Sequence, residues 1–148
     1  MMERRDFIKS CGYACIGGTA LITILNSCRS TQTVNGLIMD SNIVINISDF
    51  EINNNKKNKQ IREFIIVQND ALKFPICVYR INETTFSALY LECTHQGAEL
   101  QVFGDKLHCP AHGAEFDNHG KVMSGPAETN LRSFPIKIEN KQIKISLK

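Results

Sequence analysis

The chain has 148 residues, a length typical of one globular domain with one core and one principal site. Its formal net charge is only +2, and the 17 lysines and arginines are scattered along the sequence. Because nucleic-acid binding needs a concentrated basic surface, the composition argues against that class of partner.

The N-terminal segment has the order of charges and apolar residues that is typical of an export signal. Arg4 and Arg5 lie near the start, and residues 10–28 carry no charge. The apolar stretch from Tyr13 to Leu25 is shorter than the roughly 20 residues of a transmembrane helix, so we expect a signal helix over residues 1–27 that is cleaved. The two arginines resemble the twin-arginine motif, whose route exports folded proteins and would suit a cofactor inserted before export.

The stretch Leu25-Asn26-Ser27-Cys28 resembles a lipobox, in which the cysteine becomes the acylated first residue of the mature protein. The resemblance predicts lipid attachment at Cys28, and the alternatives are an incidental cysteine or an uncleaved N-terminal anchor. Polar residues 28–35 are then expected to form a tether, and residues 36–148 the domain. The sequence thus predicts an exported protein, either periplasmic or attached to the outer face of the cytoplasmic membrane.

From Ile43 onwards the sequence contains short apolar runs of strand length and no long window with helical spacing, which predicts an all-β domain. The polar run Asn53–Gln60 is expected to be a solvated loop. Cys77 lies inside an apolar run, where a lone cysteine is usually a small buried hydrophobic residue. The predicted strands are Ile43–Ile47, Ile61–Val67, Ile76–Ile81, Thr85–Leu91, Phe134–Ile138 and Gln142–Leu147.

The last predicted strand is the clearest, because apolar and polar residues alternate over Gln142–Leu147. The preceding Glu139-Asn140-Lys141 predicts a hairpin turn, since asparagine tolerates the left-handed backbone conformation.

Two short motifs carry the chemistry: Cys93-Thr94-His95-Gln96-Gly97 and Cys109-Pro110-Ala111-His112-Gly113. Each motif offers one thiolate and one imidazole, a set that suits either a tetrahedral zinc ion or a mixed-ligand iron-sulfur centre. A zinc finger usually pairs its cysteines within one knuckle, whereas each motif here mixes cysteine with histidine. The mixture favours a centre in which two irons take different ligands. Gly97 and Gly113 are expected to adopt backbone conformations that are closed to larger residues.

These two motifs resemble the cluster-binding loops of Rieske iron-sulfur proteins. The similarity continues through Phe116-Asp117 and through Gly125-Pro126-Ala127, which resembles the proline-bearing loop that shields the cluster in that family. The resemblance implies an antiparallel β sandwich with a cluster-binding subdomain and one 2Fe-2S cluster per chain. It also implies these ligands: Cys93 and Cys109 for the inner iron, His95 and His112 for the outer iron.

The sequence departs from respiratory Rieske proteins at four positions. Ala98 and Ala111 stand where those relatives have cysteines that form a disulfide between the loops. Ala114 and Phe116 stand where they have a serine and a tyrosine, whose hydroxyls donate hydrogen bonds toward the cluster. Because such donors stabilise the reduced cluster, we expect a potential in the lower half of the Rieske range of roughly −150 to +300 mV.

The two remaining histidines are not assigned a metal. His108 precedes a ligand within an apparent strand, and His119 lies in a turn signal, Asn118-His119-Gly120. At His95 and His112, reduction is expected to favour proton uptake, because a histidine on ferric iron loses its remaining ring proton more easily than one on ferrous iron.

Four functions are candidates for such a site. The signal favours one-electron transfer by a membrane-attached subunit or partner of an exported or quinol-linked oxidoreductase, with a redox protein or quinol-oxidising complex as its partner. A ferredoxin that feeds an oxygenase also lacks the disulfide but would be cytoplasmic. A catalytic oxygenase subunit would need a further iron site and a substrate domain, for which the chain has no room. A zinc-stabilised binding module without redox chemistry is the fourth.

Overall fold

The computed structural model describes residues 31–52 and 60–148, and the predicted all-β fold is confirmed there. A short 3-10 helix lies at Ile47–Phe50. In the described ranges, no helix is both long and apolar enough to cross a membrane. The strands are β1 Thr33–Asn35, β2 Leu37–Met39, β3 Asn42–Asn46, β4 Glu51–Ile52, β5 Gln60–Ile61, β6 Phe64–Gln68, β7 Ile76–Arg80, β8 Phe86–Tyr90, β9 Gln101–Phe103, β10 Lys106–His108, β11 Glu115–Asp117, β12 Val122–Ser124, β13 Ser133–Phe134, β14 Ile136–Glu139 and β15 Gln142–Ser146.

Several predictions fall outside these residues and stay predictions. They are the signal helix over residues 1–27, the lipidation of Cys28, and the solvated loop over most of Asn53–Gln60.

A five-stranded sheet in the order β1-β6-β7-β8-β13 forms the centre of the domain. Both of its faces are covered, which explains why its three inner strands β6, β7 and β8 are mostly apolar. In β7, Ile76 and Val78 face one core while Cys77 and Tyr79 face the other, because successive side chains of a strand point to opposite sides.

The sandwich core fills the space between this central sheet and a second sheet in the order β14-β15-β3-β2. Both sheets contribute aliphatic side chains, and burial of this apolar surface stabilises the fold. Its buried members are Ile43, Ile45, Phe50, Ile65, Val67, Ile76, Val78, Ala88, Phe134, Ile143 and Ile145.

The loop-side core lies on the opposite face of the central sheet, beneath a third sheet in the order β12-β11-β10-β9. Residues from the connecting loops join those from strands here, so this core links the loops to the sheet. Its buried members are Ile66, Cys77, Tyr79, Leu89, Leu91, Cys93, Leu100, Leu107, Cys109, Ala114, Phe116, Ala127 and Leu131.

The tether predicted over residues 28–35 is wrong at its C-terminal end, and the domain begins earlier than Gly36. Residues Thr33–Asn35 form β1, which pairs with β6 in parallel, so the sheets are not purely antiparallel. Val34 packs against the sandwich core, but one apolar residue among polar neighbours gives too weak a pattern to predict a strand. Gly36 is buried between Ile43 and Val67, and any side chain there would overlap theirs.

The C-terminal hairpin is confirmed, since β14 and β15 pair antiparallel from Ile136 with Ile145 to Glu139 with Gln142. Asn140 and Lys141 both adopt positive φ, 51° and 64°, as a tight hairpin turn requires. The predicted strand Phe134–Ile138 divides at Pro135, which has no N–H to donate, and β13 and β14 belong to different sheets.

Candidate metal centre

Two loops emerge at the same end of the third sheet. The first loop, residues 91–100, connects β8 to β9, and the second loop, residues 109–114, connects β10 to β11. A bridge between Glu92 and Glu99 closes the first loop at its base. The antiparallel pairing of β10 with β9 and β11 sets the second loop beside the first.

Both loops have the same backbone hydrogen bonds. In the first, the Cys93 N–H donates to the Ala98 carbonyl at 2.8 Å, and the Gly97 N–H donates to the Cys93 carbonyl at 2.8 Å. In the second, the Cys109 N–H donates to the Ala114 carbonyl at 2.8 Å, and the Gly113 N–H returns to the Cys109 carbonyl at 3.0 Å. Each loop therefore holds its cysteine at the same place in a closed turn.

The glycine in each turn has the predicted conformational role. Gly97 has a φ of +69° and Gly113 a φ of +79°, a region that L side chains rarely adopt. Glycine therefore lets each turn close without the backbone strain that a side chain would bring.

The two cysteine side chains lie close together on the buried side of the two loops. Cys93 is 2% exposed and Cys109 is 1% exposed, and their thiols lie within hydrogen-bonding reach of each other. Burial raises the pKa of the Cys93 thiol, and the Cys109 thiol raises it further. The backbone N–H groups of His95 and Gln96 point at the Cys93 sulfur and act in the opposite direction. A metal that binds here would remove the thiol proton.

The two imidazoles lie closer to solvent. His112 is exposed and His95 is half-buried, and their ring centroids are 5.0 Å apart with the planes at 89°. The Nδ1 atom of His95 is buried and has no hydrogen-bond partner within the described residues. Since buried polar atoms are normally satisfied, this nitrogen has the environment of a metal ligand. Two buried thiols and two outward imidazoles match the donor set of a mixed-ligand iron-sulfur cluster.

A third loop, residues 125–132 between β12 and β13, is joined to the first loop. It contains the cis Gly125–Pro126 peptide, and Ala127 is buried in the loop-side core. The Thr94 hydroxyl donates a 2.7 Å hydrogen bond to the Thr129 carbonyl and so joins the first loop to this one. No sequence signal predicts this bond, because threonine at that position is compatible with many local contacts.

The two remaining histidines lie in a strand and in a turn, which are the settings that the sequence predicts for them. His108 belongs to β10, where its ring lies 6.3 Å from that of Phe103. His119 is exposed in a turn, where its N–H and that of Lys121 both donate to Asp117 Oδ1 at 2.9 Å.

Cys77 is buried in the loop-side core, as predicted, and burial raises the pKa of its thiol. Over residues 31–52 and 60–148, no three or more His, Cys, Asp or Glu side chains are arranged to hold a metal ion. A binuclear cluster needs only two protein ligands at each iron, so it does not require a group of three.

Comparison with known proteins places this arrangement in a family. Residues 49–135, more than half of the chain, match the Rieske [2Fe-2S] domain. The chain is 34% identical over 65 residues to the cytochrome b6-f complex iron-sulfur subunit of Chlorobaculum tepidum, covering 43% of this chain and 36% of that subunit. It is 36% identical over 59 residues to the ferredoxin component of the naphthalene 1,2-dioxygenase system of Pseudomonas putida, covering 37% of this chain and 57% of that component.

Among solved structures, the fold is similar to that of the cyanobacterial plasma membrane Rieske protein from Synechocystis PCC 6803. The TM-score is 0.50 and the identity 30%, over 57% of this chain and 86% of that one. The matched stretches thus cover 36% and 57% of the two curated relatives but 86% of the Synechocystis protein structure. The chain therefore belongs to the Rieske family of electron-transfer proteins, whose cofactor is a 2Fe-2S cluster.

Proposed function

We propose that Cys93 and Cys109 bind one iron of the cluster and that His95 and His112 bind the other. The observation that carries this assignment is the arrangement of the side chains: two buried thiols within hydrogen-bonding reach, two neighbouring imidazoles nearer to solvent, and a buried His95 Nδ1 without a partner among the described residues. The repeated turn around each cysteine supports it, because both sulfurs must approach one iron from different loops.

The cluster, when bound, accepts and releases one electron. The residues around it determine how that electron is exchanged. The buried cysteines lie away from solvent, whereas exposed His112 offers the edge through which a partner protein can approach. His112 and His95 also place ring nitrogens where a proton can follow the electron. We assign no substrate chemistry to the chain itself.

We further propose that the protein is exported and attached to a membrane through acylated Cys28, with an oxidoreductase or a quinol-oxidising complex as its redox partner. The order of charges in residues 1–27 and the lipobox-like Leu25-Cys28 stretch support export and attachment. The similarity to a cytochrome b6-f iron-sulfur subunit and to a plasma membrane Rieske protein favours a membrane partner.

A soluble ferredoxin function is the second candidate, and a specific observation favours it. Ala98 and Ala111 replace the cysteine pair that ties the loops together in respiratory Rieske proteins, and the chain is similar to a dioxygenase ferredoxin component. Subcellular location separates the two, because a ferredoxin that serves an oxygenase has no need of export.

The cofactor assignment is tested on purified protein by iron, zinc and acid-labile sulfide analysis together with EPR of the reduced state. We expect two irons and two sulfides per chain, a brown colour and an EPR signal that appears on reduction. A colourless protein with one zinc and no labile sulfide after anaerobic reconstitution would instead identify the zinc-stabilised module.

The attachment is tested by fractionating cells that express the full chain or its Cys28→Ser variant. We expect the full chain in the membrane fraction, with a lipid mass on the Cys28 peptide, and the variant largely in the soluble fraction. Capture of partners from solubilised membranes then distinguishes a quinol-oxidising complex from an oxygenase. A full chain found in the cytoplasm with unmodified Cys28 would favour the ferredoxin function.

A further inference from the structure

Strand β2 presents an exposed apolar edge that the electron-transfer site does not explain. Leu37, Ile38 and Met39 are 69%, 46% and 58% exposed, and β2 is the outermost strand of the sheet β14-β15-β3-β2. Edge strands of soluble proteins usually carry charged residues or proline, which prevent association with other chains. Strand β2 has neither, so this edge is suited to contact with an apolar surface.

Apolar groups lie on both sides of this strand. Leu37 pairs with Val44 and Met39 with Asn42, so both project from the outer face of the sheet, while Ile38 is on the opposite side. The apolar side chains therefore lie on both faces of the sheet at this edge and do not form a single flat apolar face.

The charges near this edge are balanced. Lys144 of β15 lies opposite Val44, and Lys137 of β14 lies opposite Lys144. Both lysines form ion pairs with Glu139. Asp40 follows β2 directly in the next turn. A partner of strong charge is thus not favoured, and apolar contact is the main attraction that this edge offers.

The short distance along the chain between Cys28 and the first strand indicates that the membrane is the apolar surface that β2 contacts. Gln32 is already fixed to the central sheet, because its carbonyl accepts a 2.9 Å hydrogen bond from the Ile66 N–H. The chain from Cys28 to Gln32 can extend no more than about 14 Å. A lipid on Cys28 would thus hold the domain close to the membrane, and β2 follows β1 after the single residue Gly36.

We infer that β2 inserts Leu37, Ile38 and Met39 into the headgroup region of the membrane and fixes the orientation of the domain there. This inference rests on the proposed attachment at Cys28. Because the sheet that contains β2 and the loops that contain Cys93 and Cys109 lie on opposite faces of the central sheet, this contact directs the cluster site toward the aqueous phase. A redox partner, including the water-exposed part of a membrane complex, would then meet the cluster site on its aqueous side.

Tryptophan fluorescence tests the contact, because the chain contains no tryptophan. Leu37→Trp and, in a separate protein, Phe103→Trp place one reporter each. Phe103 is a matched control, since it is 61% exposed but belongs to the third sheet on the other side of the central sheet. Each full chain is reconstituted into phosphatidylcholine vesicles, either unlabelled or brominated along the acyl chains, and the ratio of the two emissions removes quenching by the cluster.

We expect brominated lipid to lower the emission of the Leu37→Trp protein by roughly half, because interfacial segments lie about 5–10 Å into the headgroup and acyl boundary, and to leave that of the Phe103→Trp protein unchanged. Met39→Trp repeats the measurement if Leu37→Trp does not fold. Equal quenching at both positions, or quenching at neither, would overturn the oriented contact.

Mass spectrometry of the Cys28 peptide distinguishes failure of the proposed attachment from failure of the proposed membrane contact of β2. An acylated, vesicle-bound chain whose Leu37→Trp reporter is not quenched refutes the contact but leaves the attachment standing. An unmodified Cys28 refutes the attachment and removes the basis of the contact. A vesicle-free dimer, detected by light scattering, in which the Leu37→Trp emission is already shielded would assign the edge to a second copy instead and overturn the inference.

Discussion

The two cores on either face of the central sheet have different compositions and different tasks. Apart from Ala88, the sandwich core consists of isoleucine, valine and phenylalanine, mostly from regular strands. The loop-side core includes Cys93, Cys109 and Ala114 from the loops, beside residues of the sheets. Both faces of the sheet therefore contribute buried apolar surface to the stability of the domain, while the loop-side face also holds the candidate ligands Cys93 and Cys109 in position.

The largest effect is expected from Cys109→Ser, compared with Cys77→Ser. Both cysteines are buried in the loop-side core, but only Cys109 is assigned to iron. Cys109→Ser should abolish the visible absorption and the EPR signal, since hydroxyl oxygen is a poor ligand for this cluster. Cys77→Ser should retain two irons per chain. Loss of the cluster in both variants would contradict the ligand assignment.

Truncation of a buried side chain on each face gives the next largest effect. Ile145→Ala in the sandwich core and Leu107→Ala in the loop-side core both remove a side chain that is 0% exposed. Each should lower the free energy of unfolding by about 2–5 kcal/mol in chemical denaturation. The midpoint potential and the rate of cluster loss should change only in Leu107→Ala. Equal changes in both variants would show that the two cores are not separable in this way.

The bond between the first and third loops is tested by Thr94→Val, which keeps the shape but removes the hydroxyl. Loss of the 2.7 Å hydrogen bond to the Thr129 carbonyl should cost about 1 kcal/mol and accelerate cluster loss to a chelator several-fold. Thr84→Val is the control, because the Thr84 hydroxyl bonds only to Asn82 within an exposed turn. An unchanged rate in Thr94→Val would show that the loops are held by packing alone.

Phe116→Tyr tests whether the missing hydroxyl donor sets the potential. Phe116 is fully buried in the loop-side core, and a new hydroxyl donor there should stabilise the reduced cluster. A net hydrogen bond of about 1 kcal/mol corresponds to roughly 40 mV for a one-electron couple. A redox titration should therefore show a higher midpoint for the variant, and the unmodified protein should lie in the lower half of the Rieske range. A midpoint that falls or stays constant would contradict this.

The smallest effect is expected at the surface of the second sheet, from Glu139→Gln. Lys137 and Lys144 lower the pKa of the Glu139 carboxyl to about 2. Because the folded-state pKa lies below the ordinary value of 4.5, the ion pairs stabilise the native state above that pH, and the effect is lost as the pH falls toward about 2. Unfolding midpoints of the two proteins should differ slightly at neutral pH and low salt and coincide in acid. A difference that persists at pH 2 would point to a cause other than charge.

The sequence predicted those parts of the domain in which local signals are strong. The hairpin at Asn140 follows from alternating polarity and a turn residue. The two motifs are short and specific enough to suggest four ligands, and that assignment stays a prediction. The third sheet was missed, since β9 to β12 have three residues each, too few for a period to be recognised.

Long-range contacts account for the remaining differences. Strand β1 was interpreted as tether because only its pairing with β6 makes it a strand. The predicted strand Ile61–Val67 is divided into β5 and β6, which belong to different sheets. The local sequence does not predict the exposed edge at Leu37, because a run of three apolar residues is equally compatible with a buried strand.

The parallel pairing of β1 has a mechanical consequence. Its bonds run from the Gln32 carbonyl, which accepts from Ile66, to the Gly36 N–H, which donates to the Gln68 carbonyl. Tension applied at the N-terminus along the strand would strain these bonds together in shear, since parallel neighbours must slide past each other instead of unzipping one by one. A pull from an N-terminal anchor would therefore be resisted first by the pairing of β1 with β6, three strands along the sheet from β8, which leads into the first loop.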